Sequence, residues 1–531
     1  MKTHDIQWYD LFQRRTTRRD FFRVGGSAAG LIALGTLPGC GTERSFSFSS
    51  NPFSFGVASG DPSADGFVLW SRLAREALDS GGALTEQVAV TWELAEDEAF
   101  SRVVRSGSVL AIPELGHSVH AEVDGLGAGR EYFYRWVTGG ESSPVGRART
   151  APSGSPEQVR FAFASCQNYE HGYFTALRHL SMEDVDFIVH LGDYIYERRF
   201  DDFGVREHEM AEIEVTTLEQ YRARYTTYRL DPDLQAAHHA APWIVSTDDH
   251  EVDNDYAGII PEDDQTVEQL ILRRAAGYQA FYEFMPLRRS SMPSGPDHPM
   301  YRRLRFGDLI DMSVLDTRQY RSNQPCGWYF ETGSEPSCAE HVSPDQSILG
   351  ETQRDWLLEG LGNSEARWNV LAQQVPVARL RGRTPEGEET WSMDKWDGYP
   401  AERQILLDHL AETRTSNPVV LTGDVHASWV SDLKRDFEDM ASETVGTELV
   451  GTSLASGGDG QDMTPRGEAL LSNNPHTKFY NGQRGYVVST VTPESWTADY
   501  RVVPFVQEPG ADIGTRATFV VEAGQPGAEL A

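Results

Sequence analysis

The stretch Phe187-Ile188-Val189-His190-Leu191-Gly192-Asp193-Tyr194-Ile195-Tyr196 decides how this 531-residue chain reads. Residues 187–191 form a short apolar run that reads as a strand. Gly192-Asp193 turns the chain at the end of that strand, and a carboxylate in such a turn can bridge two cations. Tyr196, three residues on, can reach the same ion. Three further motifs follow the same plan: Ser165-Cys166-Gln167-Asn168 after 159–164, Asp248-Asp249-His250-Glu251 after 243–247, and Gly423-Asp424-Val425-His426 after 419–422. Each alone reads as a turn, a solvated acidic loop or a cap. Together, after four strands, they read as one binuclear metal site assembled from loops at strand ends.

The donor chemistry separates into two positions. Thiolate from Cys166, phenolate from Tyr196, carboxylate from Asp193 and imidazole from His426 suit iron, with the phenolate favouring Fe3+. Asp193 is shared with a second position formed by Asp249, Asp424 and the amide oxygen of Gln374. That set is all oxygen, and oxygen-only sites favour Ca2+, Mg2+ or Mn2+ over Zn2+. Two close cations can clamp a phosphate and activate an attacking oxygen. His250, beside Asp249, is placed to protonate a leaving alkoxide or to stabilise the pentavalent state. Arg318 and Lys395 lie in motif-like loops where a cation could meet substrate; a structural salt bridge is the alternative for Arg318. Trp391 and Trp396 either wall a pocket or, for Trp396, pack in the core.

The charge balance fits a centre that must attract its substrate locally. There are 47 basic against 80 acidic side chains, a net charge of −33. Such a surface repels nucleic-acid backbones and anionic membranes, so bound cations would draw a phosphate ester in. Only four residues are Lys (Lys2, Lys395, Lys434, Lys478). An acid-rich, Lys-poor surface is what a protein working in high salt shows, while an Arg bias also follows from GC-rich codons; both explanations stay open.

At the N-terminus, Thr17-Arg18-Arg19-Asp20-Phe21-Phe22-Arg23 precedes a weakly apolar stretch, 24–37. The stretch is too short and Gly-rich to span a bilayer, and the pattern matches a twin-arginine export signal over 1–40. Leu37-Pro38-Gly39-Cys40 resembles a lipobox with Cys40 as a lipid anchor point. The expected partners are therefore the twin-arginine export machinery and small phosphate mono- and diesters, and the expected location is periplasmic, cell-surface or extracellular. In an exported chain Cys326 and Cys338, close together in a Gly/Ser/Pro-rich loop, pair as a disulfide. Cys166 is left over: either a buried core thiol or a thiolate protected by a metal.

The segments order themselves in two domains. Residues 41–52 read as a Ser-rich tether. Over 53–150, short alternating runs at 66–72, 87–94, 118–123 and 131–138 predict an all-β, fibronectin-like sandwich of about 100 residues. Leu126-Gly127 followed by Tyr132 resembles the turn in which a Tyr pins a sheet corner. Over 151–531, strands at 159–164, 187–191, 243–247, 309–315, 368–374 and 419–422 alternate with helices at 172–181, 218–229 and 266–282. Runs at 485–491, 498–503 and 517–522 complete a sheet. This predicts an α/β domain of two packed sheets with helices outside.

The four motifs, in this order, resemble the alkaline phosphatase D (PhoD-like) family, a calcineurin-like metallophosphoesterase group. The resemblance covers nearly the whole mature chain. It extends to Phe55-Gly56-Val57-Ala58-Ser59-Gly60-Asp61-Pro62, Leu69-Trp70-Ser71-Arg72, Leu315-Asp316-Thr317-Arg318 and Trp396-Asp397-Gly398-Tyr399. Against the wider superfamily, Cys166 stands where Asp is usual, Asn168 for His, Asp249 for Asn and Asp424 for the first His of the last motif. The resemblance implies phosphomonoesterase and phosphodiesterase activity at alkaline pH. It also implies Fe3+ on Cys166, Asp193, Tyr196 and His426, and Ca2+ on Asp193, Asp249 and Asp424. Gln374 is carried over from its place before Val375-Pro376, where the superfamily often has His. The leading reading is a secreted phosphatase that scavenges phosphate. A phospholipase D-like or wall-polymer phosphodiesterase is the alternative within chemistry, and a surface adhesin with a decayed enzyme domain the alternative outside it.

Overall fold

Strand Val159–Ala164 puts Phe161 and Phe163 on one face and Ala162 and Ala164 on the other, all buried. A strand buried on both faces lies inside a layered fold. In the computed structural model, which describes residues 46–199, 204–262, 265–327, 334–384 and 386–531, this strand pairs in parallel with Phe187–His190, which pairs in parallel with Trp243–Val245. The three form the middle of a ten-stranded sheet. A seven-stranded sheet carries a second parallel set, Ile310–Val314, Trp368–Ala372 and Pro418–Thr422.

The two sheets pack face to face. Phe161, Phe163, Phe187 and Val189 from one meet Ile310, Met312, Val370 and Val419 from the other in a single core. The opposite faces are covered by helices. Tyr221, Tyr225 and Tyr228 of helix Leu218–Arg229, with Phe281 and Phe284 of helix Val267–Phe284, cover Ala162, Ile188 and Trp243. Helices Gly350–Gly362 and Pro400–Thr413 cover Leu371 and Val420. Helices Leu218–Arg229 and Val267–Phe284 both start from a Thr-x-x-Gln capping box, at Thr217 and Thr266. The predicted α/β arrangement of two sheets with outer helices is the observed one. Cys326 and Cys338 are disulfide-bonded, and Cys166 is buried and free.

The N-terminal β region differs in one instructive respect. Strands Val88–Ala95, Val103–Ala111, Glu131–Thr138, Glu141–Ser142 and Gly146–Arg149 form a five-stranded sheet. Tyr132 holds the expected corner, accepting a hydrogen bond from the Gly127 N–H at 3.2 Å. The facing layer, however, belongs to the catalytic sheet: Val57–Ser63 pairs in parallel with Trp243–Val245, and Gly66–Arg72 and Ser118–Val123 continue outward from it. Phe67 on this layer packs against Tyr132 on the other. The two domains thus share a sheet. Residues Ser47–Ala531 form one compact unit. The expected export signal, Cys40 and residues 41–45 of the tether lie outside the described residues. Among the described residues no helix is long and apolar enough to cross a membrane.

Gly60 sits at the seam, opposite Trp243. A Cβ there would lie 2.3 Å from the Pro286 carbonyl oxygen and 2.7 Å from that of Trp243. Gly60→Val should therefore destabilise the whole unit, not the N-terminal sheet alone, by about 3 kcal/mol. Urea unfolding followed by tryptophan fluorescence should show one transition at a lower midpoint. An unchanged midpoint would contradict the shared sheet.

Candidate metal centre

Each motif begins where one of the parallel strands ends, so the two sheets deliver their loops to one edge. Glycine lets those loops meet. A Cβ on Gly192, at φ 108°, would lie 2.4 Å from Asp248 Cβ, and one on Gly423 would lie 2.6 Å from Ser165 Oγ. Main-chain bonds stitch the turns together: Cys166 N–H to the Gly192 carbonyl at 3.1 Å, Gln167 N–H to that of Asp193 at 3.0 Å, and Gly423 N–H to that of Gln374 at 2.9 Å. Cys166, Asp193, Asp424 and His426 all have positive φ, between 55° and 64°. For side-chain-bearing residues this costs about 1–3 kcal/mol each and persists where the surroundings enforce it. The four lie together in the turns that follow the parallel strands.

These turns bring the predicted donors together. One ligand atom from each of Cys166, Asp193 and His426 lies within 4.8 Å of the others, and the same holds for Asp193, Asp249 and His250. Asp193 belongs to both groups, as a bridging carboxylate would. Tyr196 Oη lies 3.1 Å from Asp193 Oδ2 and 3.1 Å from His426 Nε2, and accepts from Ser456 Oγ at 2.7 Å. Burial, then the Asp193 charge, pushes the Cys166 thiol and the Tyr196 phenol well above their ordinary ranges. Burial and Arg484 hold His426 well below its own, so its ring is a neutral donor. Asp193 Oδ1 is buried without a hydrogen-bond partner. An orphaned carboxylate oxygen beside a thiol, a phenol and a neutral imidazole is a donor set suited to a multivalent cation, which would stabilise the anionic forms that burial opposes.

The second half is crowded with carboxylates around Arg318, which has no exposed surface. Its guanidinium nitrogens lie 2.6 Å from Asp248 Oδ1, 2.7 Å from Asp394 Oδ1 and 3.5–3.7 Å from oxygens of Asp249, Asp424 and Asp255. Enclosed in this way, Arg318 serves as a counter-ion to these carboxylates, as in the salt-bridge alternative to the catalytic role expected for it. The carboxylates do not all stay charged. Burial pushes Asp248 up to about 8 despite Arg318. Burial and the Asp394 charge lift Asp255 well above the usual range. Burial opposes ionisation of Asp249 and Asp394 too, but Arg318 heads the charges that hold both below that range.

His250 lies over the Tyr196 ring, centroids 4.1 Å apart, and its Nδ1 is 2.7 Å from Glu197 Oε2. Burial would lower its pKa; the carboxylates of Glu197, Asp193 and Asp249 outweigh that and raise it well above the ordinary value. Gln374 is a correction. Its amide oxygen accepts from Thr317 N–H at 3.1 Å and Thr317 Oγ1 at 2.8 Å, and its NH2 donates to the Leu315 carbonyl at 3.0 Å. The carbonyl fixes the amide orientation, so the oxygen expected at the second position instead ties two loops together. Trp396 is buried in the core with Leu315 and Tyr399, and Trp391 is stacked under Arg379.

Several supporting residues escaped sequence reasoning. Glu251 accepts from the N–H groups of Tyr194 and Asp248, bracing two motifs at once. Arg484 donates to the His426 carbonyl at 2.6 Å and to Ser453 Oγ at 3.1 Å. Ser456 and Arg484 sit in no motif, and nothing in the sequence distinguishes them. Glu197 directly follows Tyr196, outside the donor set read from the sequence.

The sequence signature of the PhoD-like phosphatase family matches residues 161–500, and that of the PhoD-like phosphatase N-terminal domain matches residues 39–152. The chain is 49% identical over 530 residues to alkaline phosphatase D of Bacillus subtilis (strain 168), covering 98% of this chain and 90% of that protein. A solved structure described as that of PhoD superposes with a TM-score of 0.87 at 50% identity, covering 91% of this chain and 92% of the other.

Removing Arg318 tests the charge account. Asp249 and Asp394 are held low by it, so their contribution to stability is present above the unfolded carboxylate pKa of about 4 and is lost as pH falls through their folded values. Arg318→Met should cost about 3–5 kcal/mol at pH 7, because it leaves buried carboxylates unpaired. The loss should shrink toward pH 4 as those groups take up protons. Urea unfolding at the two pH values measures it; an equal loss at both would contradict the role.

Proposed function

From a chain that belongs to the PhoD-like phosphatase family, and is a phosphoric ester hydrolase of the alkaline phosphatase D type, we propose an exported enzyme that hydrolyses phosphate mono- and diesters at an Fe3+/Ca2+ centre and so acquires phosphate. The observation that carries the metal assignment is the convergence of Cys166, Asp193 and His426 ligand atoms within 4.8 Å, with the Tyr196 hydroxyl beside them. Cys166, Asp193, Tyr196 and His426 would hold Fe3+, and Asp193, Asp249 and Asp424 would hold Ca2+. When bound, these ions would supply Lewis-acid polarisation of the phosphate and a nucleophilic oxygen at alkaline pH. Export by the twin-arginine route, with or without a lipid on Cys40, is supported by the motifs at Arg18-Arg19 and Cys40.

The chain's own residues divide the remaining work. His250 carries the proton a leaving alkoxide needs: Nδ1 is engaged by Glu197, so the proton would be delivered from Nε2. Glu197 keeps the ring protonated as pH rises, which an acid catalyst in an alkaline enzyme requires. Arg318 holds the Asp248-Asp249 turn against the Asp394 loop. Ser456 orients the Tyr196 hydroxyl.

The ligand assignment and the acid role are tested separately. Cys166→Ala or Asp193→Ala should abolish hydrolysis of p-nitrophenyl phosphate, with an unchanged circular dichroism spectrum and loss of bound iron; full activity in either would contradict the ligand assignment. A calcium chelator should inactivate the native protein reversibly. Second, His250 must be protonated to act, so activity should fall as pH rises through its raised pKa. Glu197→Gln removes the main raising charge and should move that alkaline limb down by about one unit or more. An unmoved limb would remove His250 from the role of acid. Turnover of bis-p-nitrophenyl phosphate and phosphatidylcholine, compared with p-nitrophenyl phosphate, separates the phosphatase from the phospholipase D-like or wall-polymer alternative.

A further inference from the structure

The cationic side chains around the carboxylate cluster differ in what they can reach. Arg318 is enclosed, and Arg321 is equally buried on Asp394 and the Thr317 carbonyl. Arg484 gives its guanidinium to the carbonyls of His426 and Gly458 and to Ser453. Lys395 is placed otherwise. Its side chain is 16% exposed, and its Nζ lies 3.0 Å from Asp394 Oδ2 and 2.7 and 2.6 Å from the two oxygens of Asp424. Residues 424–426, which it faces, are the partly exposed side of the centre, whereas 248–251 are buried. An ammonium has three donors: one bonds Asp394 and one Asp424, whose second oxygen also lies 2.6 Å away.

The backbone that carries this ammonium is firmly set. The turn Trp396–Gly398 follows it directly, with Trp396 buried and its Nε1 donating to Gln373 Oε1 at 3.2 Å. Asp397 accepts from the Leu380 N–H at 2.8 Å and from Arg403. A fixed stem sets the charge beside Asp424, on the partly exposed side of the centre. In a chain where only four of 47 basic residues are Lys, this position carries the compact point charge and not the planar fork of Arg.

Resting on the phosphoesterase reading above, we propose that Lys395 contacts the phosphate of the substrate and sets the preference for dianionic monoesters over monoanionic diesters. The reason is Coulombic. A phosphomonoester carries close to two negative charges at alkaline pH and a diester one, so an ammonium at a given distance attracts the monoester about twice as strongly in free energy. A fold-change lost by the diester is therefore roughly squared for the monoester.

Lys395→Met and Lys395→Arg, made in the full chain with its native metals, test this on p-nitrophenyl phosphate and bis-p-nitrophenyl phosphate. Lys395→Met should lower kcat/KM about thirtyfold for the monoester and about fivefold for the diester, mainly through KM. Lys395→Arg should recover most of the monoester preference. Calorimetric titration with inorganic phosphate, itself a dianion at alkaline pH, needs no turnover and should show about thirtyfold weaker binding to Lys395→Met. Equal losses on both esters, or unchanged phosphate affinity, would overturn the proposal and leave Lys395 as a counter-ion of Asp424. Absence of turnover in the wild type would instead count against the phosphoesterase reading, and the phosphate titration would still decide for or against Lys395.

Discussion

Buried negative charge is the constraint on which the rest depends. Asp193, Asp248, Asp249, Asp255 and Asp394 are buried within one cluster, with Asp424 at its rim. Carboxylates in that setting are stable only if cations sit among them or protons neutralise them. Arg318, Arg321, Lys395 and His250 provide part of the charge. The upward displacement of Asp248, Asp255 and Asp193 shows that this is not enough. The two-sheet architecture follows from the same need: parallel strands from both layers end at one edge, so acidic turns far apart in sequence meet there, and Gly192 and Gly423 permit the approach.

The two halves of the cluster meet that need differently. Around Asp193, the thiol, phenol and imidazole are neutral by burial, so loading a cation there would release protons from Cys166 and Tyr196. Around Arg318 the protein supplies fixed positive charge. His250 stands beside both, its Nδ1 2.7 Å from Glu197 and its ring over that of Tyr196. A phosphoryl-transfer site needs these features: clamped anions, an activated oxygen and an acid poised for the leaving group.

Much of this was legible from residue order. Runs such as 159–164 and 187–190 are apolar on both faces, and both-face burial leaves a continuous signal. Cys166, Asp193, Asp249, Asp424 and His426 stood out because each follows such a run. Gln374 was carried over from its place before Val375-Pro376, and only the fold shows Thr317 already bonded to its amide oxygen. Strands Ser428–Lys434 and Thr444–Val450 were missed because buried Ser431 and Glu448 break the apolar pattern. Glu448 is stable there only through the N–H groups of Val377 and Ala378 and the Thr422 hydroxyl. The sharing of one sheet between the β region and the catalytic region was invisible because Val57–Ser63, the strand that joins them, carries neither alternation nor a continuous apolar run and was not read as a strand.

X-ray absorption at the metal edge of the native protein tests the central claim most directly, because it reads the ligand atoms and not their consequences. If Cys166, Asp193, Tyr196 and His426 share one ion, the spectrum should contain a single sulfur scatterer at about 2.3 Å among nitrogen and oxygen neighbours. A first shell of nitrogen and oxygen alone would place the Cys166 thiol outside the centre and contradict the account.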